Sequence, residues 1–232
     1  MVFVASDFHG NKEAWEKLKQ VLRQDDVCII LGDSCDRGDY GIEILCDIMN
    51  DPRFLYFMGN HDDWIPRHFR PDLVYNTERT SQWAKYCWLS NTDPSYQDWI
   101  NLRASDPDTF NRLVSWLAEC HVFMSVDVDG TIFRLAHARY PKVQDTHSLS
   151  MTWTEMEAHN PAELFNTVWS RYDDYMNTDD FTTPNAISLI GHTPVFDSSA
   201  EVEKGMLYNV DARLGYGHSD VRLFCLNDKQ VY

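Results

Sequence analysis

Five short apolar runs, each of strand length, end on a residue able to bind a metal ion. They are Val2 to Ala5 before Asp7, Val27 to Leu31 before Asp33, Phe54 to Met58 before Asn60, Thr131 to Ala136 before His137, and Ile187 to Ile190 before His192. In three of them a glycine stands directly ahead of the candidate ligand (Gly32, Gly59, Gly191), where the chain must leave a sheet with no side chain in the way. Sites of open sheets gather at the carboxyl ends of strands, so this repetition predicts one site assembled from five distant segments. Helical patterns fill the intervals. Asn11 caps a stripe of Ala14, Leu18, Val21 and Leu22; Ile42, Leu45, Cys46 and Met49 form a second before Asp51-Pro52. Asp106-Pro107 opens a third, with Phe110, Leu113, Val114 and Leu117, and Asn160-Pro161 a fourth. Strands alternating with helices predict an α/β architecture.

With 232 residues, 44% of them apolar, the chain can bury a sizeable core, and it reads as a single domain over residues 1–232. Residues 63 to 120 carry tryptophans at 64, 83, 88, 99 and 116 and no strand-then-ligand pattern; they read as helical, either a cap beside the site or a layer covering the sheet. A formal charge of −16 repels polyanions, which argues against nucleic acid and for a cation. The six cysteines show no C-x-x-C pair and read as reduced structural thiols. The first residues lack a basic region and reach a carboxylate by Asp7, and no run has the length of a membrane span; the expectation is a cytoplasmic protein that uses no membrane.

Around the strand ends the chemistry thickens. Asp7-Phe8-His9-Gly10 supplies a carboxylate and an imidazole; Gly32-Asp33-Ser34-Cys35-Asp36-Arg37-Gly38 adds two carboxylates and an arginine; Gly59-Asn60-His61-Asp62 adds an amide and an imidazole. With His137 and Gly191-His192-Thr193 the count is three carboxylates, one amide and four imidazoles. That mixture suits manganese, iron or zinc rather than calcium, and eight such side chains are too many for one ion.

In this order the motifs resemble the metal-dependent phosphoprotein phosphatases, calcineurin-like metallophosphoesterases, above all the bacteriophage lambda type acting on phosphoserine and phosphothreonine. The resemblance runs from Asp7 to about Asp211. It implies a central β-sandwich of mixed sheets flanked by α-helices, and two divalent ions, manganese first. By the resemblance Asp7 and His9 hold the first ion, Asp33 bridges, and Asn60, His137 and His192 hold the second. His61 donates a proton, oriented by Asp36, and Arg37 and Arg171 of Trp169-Ser170-Arg171 bind the substrate phosphate. Hydroxide generated at the metal pair then attacks phosphorus directly, with no covalent phosphoenzyme; the implied partner is a phosphoprotein or phosphopeptide. Two departures bear on substrate: Asp62 where most relatives carry Glu, and Ala212-Arg213 after the matching aspartate in place of Thr-Gly; a third, Arg139 after His137, reads as a surface ion pair ahead of a contact to substrate phosphate. Diadenosine polyphosphate hydrolases share the motif order and often carry Asp at the position of Asp62. A metal-binding adaptor without activity is the alternative of another class.

Asp127-Val128-Asp129-Gly130-Thr131 matches the nucleophile motif of haloacid-dehalogenase-type phosphatases. Asp129-Gly130 between alternating strands is also a hairpin signal, and the hairpin is the reading adopted. His68, His121, His147, His159 and His218 follow no ligand-bearing strand and read as surface or structural.

Overall fold

The computed structural model describes residues 1–75, 94–141, 149–171, 181–182, 185–196 and 200–232. Its elements run β1 (Val2–Ala5), α1 (Lys12–Val21), β2 (Val27–Ile30), α2 (Gly41–Asn50), β3 (Phe54–Tyr56), α3 (Asn60–Phe69), α4 (Pro94–Ser105), α5 (Pro107–Ala118), β4 (His121–Val128) and β5 (Thr131–Ala136). They continue with β6 (Ser150–Thr152), α6 (Trp153–His159), α7 (Pro161–Trp169), β7 (Ile187–Ile190), β8 (Glu201–Glu203), β9 (Leu207–Asn209), a 3-10 turn (Leu214–Tyr216), β10 (Phe224–Cys225) and β11 (Gln230–Val231). One sheet has the order β11-β10-β1-β2-β3, the other β6-β4-β5-β7-β9-β8, and each mixes parallel and antiparallel pairs. This is the α/β sandwich that the motif order implies.

Alternation along each strand sorts side chains between two cores. Val4 of β1, Ile29 and Leu31 at β2 and Phe224 of β10 face the second sheet, where they meet Phe133, Leu135, Leu189 and Val210. Ala5, Cys28 and Ile30 face the other way, into a layer built from the helices. The two sheets are joined where Met58 N–H donates to the carbonyl of His121 at 2.7 Å.

The predicted helices form, with two adjustments. Asn11 caps α1 by accepting from Ala14 N–H, but Val21 is 61% exposed; Trp15 completes the buried stripe because its ring packs against Phe8 and Phe54. In α2 the deepest residues are Ile44, Leu45 and Ile48, while Ile42, Cys46 and Met49 pack at the margin. The described part of the Trp-rich segment is helical and covers the first sheet: Trp64 and Trp99 are buried, and Trp116 stacks on Tyr56 at 5.4 Å. Trp83, Trp88, Cys87 and His147 lie outside the described residues. The other five cysteines are free thiols. Among the described residues no helix is long and apolar enough to cross a membrane.

Candidate metal centre

Strands β1 and β2 stop short of their ligands, and the loops that follow run side by side. Asp7 N–H donates to the carbonyl of Gly32 (3.1 Å), His9 N–H to that of Asp33 (2.9 Å) and Gly10 N–H to that of Ser34 (2.8 Å). Asp7, His9, Asp33, Asp36, Arg37 and His192 all adopt left-handed backbone, with φ between 47° and 72°. Such residues are held against an intrinsic cost of about 1–3 kcal/mol each, and they concentrate at sites where side chains must converge. Asp7 and His9 therefore meet through a loop and not, as i and i+2 spacing in a strand suggests, through the pleat.

Close approach explains two of the glycines. A Cβ on Gly191 would overlap Ser6 Oγ and the Asp7 carboxylate, and one on Gly59 would overlap the Asp33 carboxylate. Gly59 is also the residue before α3, so Asn60 and His61 form that helix's first turn. The free N–H groups there face the Asp33 carboxylate: His61 N–H donates to Asp33 Oδ1 at 2.8 Å.

The expected ligands come together. His137 Nε2 lies 3.0 Å from Asn60 Oδ1, 3.2 Å from His192 Nδ1 and 3.3 Å from Asp33 Oδ2. On the other side of Asp33, His9 Nε2 lies 3.8 Å from Asp33 Oδ2 and 3.7 Å from Asp7 Oδ1. Two triples of ligand atoms, His9/Asp33/His61 and Asp33/His137/His192, are each mutually within 4.8 Å, and Asp33 belongs to both. All six expected ligands are at most 4% exposed.

Outer hydrogen bonds aim these donors. His9 Nδ1–H donates to the Cys35 carbonyl at 2.9 Å and His137 Nδ1–H to the Leu31 carbonyl at 2.5 Å, so each ring turns Nε2 inward. Asp7 Oδ2 accepts from Ser6 Oγ–H (2.5 Å) and His192 N–H (3.0 Å), which leaves Oδ1 toward His9.

The electrostatics are those of a site short of positive charge. Burial raises Asp7 to about 6, with Asp33 adding to the rise. Burial and the charge of Asp7 raise Asp211 to about 8. Burial would raise Asp33 too, but His137, His61 and His9 around it hold it well below the usual carboxylate range. His137 would be pushed down by burial, yet Asp33 and Asp7 bring it up to about 9. Burial lowers His9 to about 3 and drives His192, beside His137 and Arg171, well below the usual imidazole range. Buried carboxylates cannot stay ionised together without compensating charge. Oxygen and imidazole donors about 3 Å apart match the ligand-to-ligand spacing around a small divalent ion with bonds of about 2.1 Å. His192 Nε2, buried with no hydrogen-bond partner, is a further polar atom that protein contacts leave unsatisfied. The residues fit a pair of divalent cations.

At the open side, His61 Nδ1–H donates to Asp36 Oδ2 at 2.8 Å, and Arg37 Nη2 lies 3.4 Å from His61 Nε2. Burial lowers the His61 pKa, but Asp33 and Asp36 outweigh it and the net shift is upward. Arg171 Nη1–H donates to the His192 carbonyl at 3.3 Å, so both expected phosphate-binding arginines reach the cluster.

Several groups support the site in a role not read from the sequence, Asp62 among them, which reads there only as bearing on substrate. Asp62 Oδ2 accepts from the N–H groups of Asp33 and Gly59 and from Tyr56 O–H, tying the loop after β2 to α3; a carboxylate three residues past the glycine that precedes the helix, placed to accept from that glycine's N–H, is the signal that could have revealed it. Asp211 accepts from Arg213 N–H, and Asn209 binds the Gly191 and Thr193 carbonyls. Asn209-Val210-Asp211 at the end of β9 repeats the strand-then-ligand pattern. The departures also find places. Arg139 Nη2–H donates to Glu163 at 2.8 Å, an ion pair with α7 and not a phosphate site. Arg213 occupies left-handed backbone (φ 65°), where a glycine is unstrained, and lays its guanidinium on Phe196 at 4.0 Å. Asp127 sits in the β4–β5 hairpin and caps its turn by accepting from Gly130 N–H at 2.8 Å. The remaining described histidines are peripheral to the cluster: His218 offers its carbonyl to Asn11, and His121 packs on Phe57.

A model of the calcineurin-like phosphoesterase family matches residues 1–219. No curated protein sequence gives a significant match. Among solved structures, a candidate diadenosine tetraphosphatase is 16% identical with a TM-score of 0.58, over 100% of this chain and 91% of that one. A cold-active protein-tyrosine phosphatase of a psychrophilic Shewanella species is 14% identical at a TM-score of 0.57, over 99% of this chain and 76% of that one. A metallophosphoesterase from Sphaerobacter thermophilus is 18% identical at 0.53, over 99% and 85%. At these identities the likeness is one of fold.

Proposed function

Because the chain belongs to the calcineurin-like phosphoesterase family it is a metal-dependent phosphoester hydrolase, and we propose that its substrates are phosphomonoesters, foremost phosphoserine and phosphothreonine in proteins. The observation that carries this reading is the His61–Asp36 pair at 2.8 Å beside Arg37, at the mouth of the buried cluster. A serine or threonine alkoxide is a poor leaving group, and a positioned proton donor contributes about 10²- to 10⁴-fold to its departure.

Asp7, His9 and Asp33 would hold one ion, and Asp33, Asn60, His137 and His192 the other; manganese is the first candidate, iron or zinc the next. Such a pair, when bound, supplies charge neutralisation and acidified water, lowering its pKa from about 15.7 toward about 7. The rest falls to the chain. Arg37 and Arg171 grip the equatorial phosphoryl oxygens by charge-assisted hydrogen bonds as charge spreads onto them. His61, with Nδ1–H anchored on Asp36, turns Nε2 toward the leaving oxygen and delivers its proton there. Asp62 and the first turn of α3 hold the Asp33 loop against His61 so that the distances survive turnover.

A second reading is hydrolysis of dinucleoside polyphosphates. It is favoured by Asp62 after the Asn-His pair and by the candidate diadenosine tetraphosphatase among the fold neighbours. Manganese-loaded protein should be offered para-nitrophenyl phosphate, a phosphoserine peptide and diadenosine tetraphosphate. Turnover of the first two is expected; cleavage of the dinucleotide alone would transfer the assignment to the second reading, and no turnover at all would favour the adaptor.

A further inference from the structure

Arg37 is exposed, its backbone is left-handed (φ 72°), and among the described residues it makes no ion pair. Its approach to His61 is long, at 3.4 Å. An arginine so placed loses rotamer entropy when it grips a ligand, unless something already restricts it. One contact does: the guanidinium carbon lies 4.7 Å from the centre of the Tyr216 ring. We propose that Tyr216 is a positioning residue whose ring face carries the Arg37 guanidinium and presents it to the substrate phosphate. The inference rests on the phosphoester reading of the site and adds a residue to it.

The turn that bears Tyr216 is itself fastened to the site. Asn11, two residues past His9, donates from Nδ2 to the carbonyls of Leu214 (3.1 Å) and His218 (2.7 Å), clamping the 3-10 turn at both ends. Leu214 is buried as its anchor. Between them Gly215 passes so close to the site that a Cβ there would stand 2.6 Å from the His9 ring and 2.8 Å from Arg37 Nη1. Tyr216 is 60% exposed, so burial of its own surface does not explain its place. A flat aromatic face leaves the in-plane N–H donors of guanidinium free, whereas a carboxylate partner would occupy them and compete with phosphate.

The test uses the manganese-loaded protein and inorganic phosphate as the probe, read by calorimetry, alongside steady-state kinetics on para-nitrophenyl phosphate. Tyr216→Leu should weaken phosphate binding and raise KM about 3- to 10-fold with kcat within about twofold, while Tyr216→Phe, which keeps the ring, stays near the parent. In an Arg37→Ala background the Tyr216→Leu change should add less than about 1.5-fold, because the group it positions is gone. Manganese content and the circular dichroism spectrum are to be matched across the set; Tyr216→Phe serves as the folded comparison should the Leu variant lose structure, and there only the near-parent result is compatible with the proposal. Equal phosphate affinity in Tyr216→Leu, an equal loss with and without Arg37, or a Phe variant as impaired as Leu would each overturn it. A parent protein that binds no phosphate would overturn the phosphoester reading itself, and this inference with it.

Discussion

Asp33 is the residue on which both halves of the cluster depend, since it alone belongs to both ligand triples among the described residues. Its substitution removes a charge from each half, so Asp33→Asn should lower kcat/KM by more than about 100-fold and release metal. Asp127→Asn, at an exposed hairpin, should stay within about twofold in the same assay; the opposite ranking would return the chemistry to the aspartate of the hairpin. At His61 the expectation depends on the leaving group. His61→Asn should depress turnover of a phosphoserine peptide by about 10²- to 10⁴-fold, and turnover of para-nitrophenyl phosphate, whose leaving group needs little protonation, by much less. An equal loss on both substrates would remove the proton-donor role from His61.

At the scale of elements, the site is made by loops that glycine lets pass close to their neighbours. Gly191 sits against Ser6 and Asp7, so Gly191→Ala must push the His192 loop away from the β1 loop. Weaker manganese binding in a titration, with the far-ultraviolet circular dichroism spectrum retained, is the expected result; unchanged affinity would show that the packing is slack. Helix α3 carries Asn60 and His61, and its direction is set by ion pairs and hydrogen bonds to α6. Arg67 in the last turn pairs with Asp63 in the first turn (2.8 Å) and with Glu157 of α6 (2.9 Å), and Trp153 Nε1–H donates to Asp63, so both ends of α3 are tied to α6. Arg67→Ala leaves two buried carboxylates facing one another, and a loss of about 3–5 kcal/mol in urea unfolding is expected. A loss below about 1 kcal/mol would mean the cluster is solvated.

For the whole molecule the predictions concern charge. A group whose pKa is raised by folding stabilises the fold below its unfolded value and loses that contribution as pH climbs through the folded value. Asp211, raised from 3.8 to about 8, therefore costs metal-free protein stability as pH rises from 3.8 to about 8, and His137, raised from 6.5 to about 9, adds a further loss between 6.5 and about 9. His9 and His192, both lowered, act with the opposite sign but below pH 6.5, where they are lost as the medium turns acidic. Divalent cations favour the ionised carboxylates, so the gap in melting temperature between manganese-loaded and chelator-treated protein should widen from pH 6.5 to pH 8. A constant or shrinking gap would contradict the coupling.

What could be read in the amino-acid order was whatever repeats locally: apolar runs of strand length, glycine before ligand, caps such as Asn11 and Asp106-Pro107, and the hairpin signal at Asp129-Gly130. These determine elements and, through the rule that sites lie at strand ends, bring Asp7, Asp33, Asn60, His137 and His192 to one place, while the roles within the cluster and the inclusion of Arg171 come from the family resemblance. They do not determine which partners a side chain finds across the fold. That Asp62 ties the Asp33 loop, that Asp211 sits beside Asp7, that Arg139 turns to Glu163, and that Tyr216 lies beneath Arg37 all depend on contacts between residues far apart in the chain. The short strands β6, β8, β9, β10 and β11 escaped notice for the same reason, since two or three residues carry too little periodicity and are held by neighbours that only the folded sheets bring alongside.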